Sequence, residues 1–72
     1  MQLTQTEKEL IYGLTLFPIT EENQEAIFLF LREEHDQQEM IHYLKTHRNA
    51  TEQEILNESG RILQQRKNLL KH

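Results

Sequence analysis

The chain has 72 residues, 12 acidic and 8 basic side chains, 4 histidines and a formal net charge of −4, which allows one domain at most, with a core too small to hold a deep catalytic cleft. No cysteine is present, so disulfides and thiolate zinc sites are excluded. Net acidity argues against a surface built for a polyanion, and the longest apolar run, residues 26–31, is far short of the roughly 20 residues that a membrane-crossing helix needs.

The vocabulary is helical: Leu, Glu and Gln dominate, Val and Trp are absent, and there are two glycines and one proline. An all-α domain is therefore expected, a small bundle of three shorter helices and one long C-terminal helix. Residues 1–7 carry neither a basic start nor an apolar run, so no signal peptide is read there and a cytoplasmic location is expected.

Thr6 with Glu9 has the form of a capping box, in which two side chains satisfy free backbone N–H groups reciprocally. It predicts a first helix over residues 7–16, burying Leu10, Ile11 and Leu14, with Phe17 stapling its end before Pro18. Gly13, in mid-helix, costs about 1 kcal/mol against alanine and points to a close backbone contact. Thr20, followed by Glu21, Glu22 and Glu25, predicts a second helix over residues 21–34. Its six consecutive apolar residues cover every side, so the segment should be central, with Ile27, Phe28, Phe30 and Leu31 in the core.

Asp36 with Glu39 supplies the next cap, for a short third helix over residues 37–45 that buries Met40, Ile41 and Leu44. Thr51 with Glu54 opens the fourth. There the pairs Ile55-Leu56, Ile62-Leu63 and Leu69-Leu70 recur every seven residues and keep one face. That phase predicts one helix over residues 52–70 running straight through Gly60, with Ser59 and Arg66 inside its apolar stripe. Residues 1–44 hold two bases against nine acids, and residues 45–72 six bases against three acids; acids early and bases late complement the helix dipoles.

Little here suggests chemistry. His35, Glu39 and His42 have a spacing that could present metal ligands on one helical face. His35, however, precedes the Asp36 cap, and the three are read as exposed members of a charged surface. No metal and no cofactor are implied. A glycine-rich phosphate loop and a His-Glu-x-x-His motif are missing, and Ser59 has no evident base, so no catalytic residue and no small-molecule substrate are assigned.

The reading these features favour is a non-enzymatic protein–protein interaction module that binds a protein partner or itself as a homodimer. Its contact residues would be Ile62, Leu63, Arg66, Leu69 and Leu70, on a tail projecting past the shorter helices. The alternative comes from residues 50–60, in which a Thr51-capped segment carries Glu54-Ile55-Leu56 and a glycine stands six residues after that Glu. This stretch resembles the first half of a helix-turn-helix. The resemblance implies a DNA-binding regulator using residues 41–71, with a turn at Gly60 and a recognition helix presenting Arg61, Gln64, Gln65, Lys67 and Lys71. In size and style the chain also resembles small proteins of bacteria and their phages, which implies no activity. The two readings part at Gly60, where the first needs a continuous helix and the second an elbow.

Overall fold

Local chemistry at the helix starts sets the elements. The computed structural model describes residues 2–70, with side chains to residue 67, and among these it contains four α-helices and no strand. The first, α1 (Gln5–Thr15), begins at a capping box in which the Glu7 N–H donates to the Thr4 hydroxyl at 3.1 Å and the Thr4 N–H to Glu7 Oε1 at 2.8 Å. It therefore starts earlier than the Thr6–Glu9 spacing predicts. Thr4–Glu7 is an equivalent pair, and using it adds helical hydrogen bonds at no loss. Thr6, now inside the helix, gives its hydroxyl to Glu34 at 3.2 Å.

Thr20 caps α2 (Glu21–Phe30) by accepting from the Asn23 N–H at 3.2 Å. The helix ends at Phe30 and does not reach residue 34. Leu31 leaves the helical region with φ −97° and ψ 72°, which turns its side chain fully into the core. Breaking the helix there frees a buried carbonyl, and the Gln37 amide donates to it at 2.7 Å.

As a result α3 (Glu34–Thr46) starts earlier than the Asp36–Glu39 spacing predicts, from Glu33 and without a side-chain cap. Asp36 is not a cap. It lies buried in the first turn, where its carboxylate accepts from Arg66 at 3.3 Å. His35 is thereby inside the helix. The last helix, α4 (Glu52–Leu70), opens on the expected Thr51–Glu54 box, with bonds of 2.8 and 3.2 Å. It passes Gly60 unbroken, and no described residue has a positive φ.

Around the bundle the order is α1, α2, α4, α3, so that α2 and α3, neighbours in sequence, sit on a diagonal, as do α1 and α4. The Thr6–Glu34 bond and the packing of Gly13 on Leu44 show that α1 and α3 run parallel. A Cβ on Gly13 would lie 3.2 Å from Leu44 Cδ1, so this glycine sets how closely the two helices approach, as its mid-helix position suggests. The α2 and α4 N-termini also meet: Glu52 accepts from the Thr20 N–H at 2.9 Å and from Asn23 Nδ2 at 2.8 Å.

Among the described residues, ten apolar side chains form the core: Leu10, Leu14, Ile19, Ile27, Leu31, Met40, Leu44, Ala50, Ile55 and Ile62. Burying each leucine- or isoleucine-sized group stabilises the fold by about 1.5–3 kcal/mol. Phe17, Ile41, Leu56 and Leu63 pack against this cluster half-buried, and Phe28 is half-buried too. Two expected core members are outside: Ile11 is 36% and Phe30 55% exposed. The buried face of α1 is the narrower Leu10–Leu14 line, and Phe30 is the last residue of α2, left outside where the next residue, Leu31, enters the core. Ile19 and Ala50 fill the core from interhelical loops, which helical periodicity does not reach. No helix among the described residues is long and apolar enough to cross a membrane.

Candidate interaction surfaces

The tail residues come first, because the apolar stripe of α4 singles them out. Ile55, Ser59 and Ile62 point inward at 0, 3 and 1% exposure, and Leu63 packs on the core cluster. Ser59 turns its hydroxyl back onto the Leu56 carbonyl at 2.7 Å. Arg66 reaches α3, with Glu33 Oε1 at 3.2 Å and Asp36 Oδ2 at 3.3 Å. Ile62 is thus buried in the core, Leu63 lies half-buried against it, and the partly exposed Arg66 ties α4 to the start of α3. The side chains of Leu69 and Leu70 lie outside the described residues.

The residues implied by the helix-turn-helix resemblance continue the same helix as Thr51, with no turn at residue 60. Arg61 grips Glu58 through Nε at 2.9 Å and through a second guanidinium nitrogen, a pairing that holds the guanidinium above its ordinary pKa. Gln64, Gln65 and Lys67 are exposed along α4, and Lys71 lies outside the described residues.

Among the described residues, two surface depressions stand out. One, of about 570 Å³, lies between α3 and α4. Its walls carry His35, Glu39 and His42 together with Glu58 and Arg61. His35 Nδ1 is 3.9 Å from Glu39 Oε1, but no three carboxylate or imidazole groups among the described residues gather closely enough to hold a metal ion. At its upper end the Tyr43 and His47 rings stack with centroids 4.1 Å apart. Burial, then the nearby Glu54 and Glu58 charges, push the Tyr43 phenol above its ordinary pKa. The depression is open, and the Arg61 guanidinium in its wall is already engaged by Glu58.

The second, of about 480 Å³, lies between the parallel helices α1 and α3, and it has a different character. One wall is Glu9 and Tyr12 of α1 with Leu16 at its C-cap; the other is Ile41 and Lys45 of α3, with Arg48 in the turn beyond its end. Glu9, Tyr12 and Leu16, and likewise Ile41 and Lys45, follow helical spacing, so each set presents its side chains along one edge. The floor is Gly13, Leu44 and Phe17, and the missing side chain of Gly13 deepens it. Tyr12 and Leu16 are 67% and 66% exposed, a raised apolar ridge beside the trough. Because α1 and α3 are parallel, Glu9 stands at one corner of this face and Lys45 and Arg48 at the diagonally opposite one.

None of these residues was assigned a binding role by periodicity. The available signal was a surplus: α1 carries Ile11, Tyr12 and Leu16 beyond the Leu10 and Leu14 that its core contact uses. Compared with known proteins, the chain matches no family model, no curated relative and no solved structure.

Proposed function

We propose that the chain is a non-enzymatic protein-interaction module whose working surface is the cleft between α1 and α3, where it takes the apolar edge of a partner helix. The observation that carries this reading is the Tyr12–Leu16 ridge standing exposed beside a glycine-floored trough. Large apolar groups gathered on the surface of so small a domain mark association sites, and a trough between two helices is the shape that receives a third. The cleft is preferred to the α4 tail because Ile62 is spent on the core, Leu63 packs half-buried against it and Arg66 is paired with Glu33 and Asp36. A helix running unbroken through Gly60 favours the module over a DNA-binding elbow.

Nuclear magnetic resonance tests this on the labelled full chain, in a dilution series and in a titration with a synthetic amphipathic helix of leucines flanked by glutamates. Shifts that change with either variable at Tyr12, Gly13, Ile41 and Leu44 support the cleft. If those signals stay fixed in both series, the reading is wrong.

A further inference from the structure

The cleft has a pattern beyond its apolar floor. Among the described residues, the charged side chains in its walls are Glu9 at one corner and Lys45 with Arg48 at the opposite corner. Between them lie the Tyr12–Leu16 ridge and, beside it, the trough over Gly13. Both the charge pattern and the relief are therefore self-matching: a two-fold axis lying in the plane of the face exchanges its charged corners. Turned about that axis, a second face lays acid on base at two places and Tyr12 on the trough at two places, and brings the two Leu16 side chains, which lie at a corner on the axis, against each other. Isologous contacts require this property of a surface, and ridges seated in grooves are how helices pack.

Resting on the reading of the cleft as the working surface, we infer that its occupant is a second copy of this chain. The two copies form a closed two-fold dimer in which Tyr12 of each sits over the Gly13–Leu44 trough of the other and the two Leu16 side chains meet at the axis. Glu9 of each then pairs with Lys45 and Arg48 of the other. The rest of the surface opposes this association, since each copy carries a formal charge of −4. The local pairs set the register, and the ridge supplies the apolar burial. Closure leaves no free cleft, so the assembly stops at two.

Sedimentation equilibrium of the full chain over a wide concentration range tests the inference, with circular dichroism to show that each variant is folded. All the altered positions are exposed, so folding should persist. The wild type is expected to move from monomer to dimer and no further. Glu9→Lys alone, and Lys45→Glu with Arg48→Glu, should each weaken the dimer by about tenfold or more, because like charges then face each other. Combining all three restores the complementary pattern with its signs exchanged and should bring the affinity back. Leu16→Asp should leave a monomer.

A wild type that stays monomeric at every concentration overturns the dimer, as does a triple variant no tighter than its parents. If the acidic synthetic helix still shifts the cleft signals of that monomer, the cleft reading survives and only the second copy is wrong. If neither occurs, both fail.

Discussion

Gln37 sits at 2% exposure with its amide nitrogen 2.7 Å from the Leu31 carbonyl, at the place where the chain leaves α2 and must enter α3 within three residues. A buried carbonyl without a donor costs about 1–3 kcal/mol. Gln37→Leu, which keeps the volume but removes the donor, should lower unfolding stability in urea by that amount with the helical spectrum retained. An unchanged midpoint would show that another donor or water reaches Leu31. Asp36 is the companion case, a buried carboxylate whose partner Arg66 lies thirty positions later. Neither role was legible in the sequence. In residues 32–39, which contain no apolar side chain, nothing distinguishes the two polar residues that turn inward from those that face water. Arg66 was conspicuous inside an apolar stripe, yet only the folded chain reveals that its carboxylates belong to the same molecule.

At the level of elements, helix starts were the most legible feature where a single Thr-x-x-Glu spacing was available, as at Thr51. They were less so where two overlapped, as at Thr4 and Thr6, because both satisfy the same backbone groups and the earlier merely adds length. Phase was equally informative: the seven-residue recurrence of apolar pairs identified α4, and that helix does run through Gly60. A side chain added there meets nothing within 4 Å. Gly60→Ala should therefore raise stability by about 1 kcal/mol, the propensity difference in a helix interior, read as a higher thermal midpoint. A lower midpoint would mean that position 60 needs a conformation only glycine tolerates, and the elbow would be back. What phase could not supply was which apolar residues of α1 face inward. Leu10 and Leu14 do and Tyr12 and Leu16 do not, because α1 touches only α2 and α3, and the side left open is not written in α1 itself.

On the scale of the whole molecule, Glu52 joins two helices. Its carboxylate is held below the ordinary glutamate range, first by the Asn23 amide and then by the Thr20 N–H. Glu54 is held down likewise by the Thr51 N–H. Both groups bind protons more weakly in the folded chain than in the unfolded one. Their contribution is therefore complete above the unfolded glutamate value, about 4.3, and is lost as pH falls through the lower folded values. Urea midpoints should drop as pH falls below about 4.5, and Glu52→Gln should flatten that drop; a variant as acid-sensitive as the wild type would show that the link to Thr20 and Asn23 is immaterial.

The helix directions that place Glu52 have one more consequence. α1 and α3 run the same way side by side, and the starts of α2 and α4 are joined through Glu52, so like helix poles lie together in this fold. The acids at those starts, Glu7 on α1, Glu21 and Glu22 on α2, Glu34 and Asp36 on α3, Glu52 and Glu54 on α4, stand where backbone N–H groups leave positive charge. Part of the protein's formal negative charge is thereby answered by its own peptide groups.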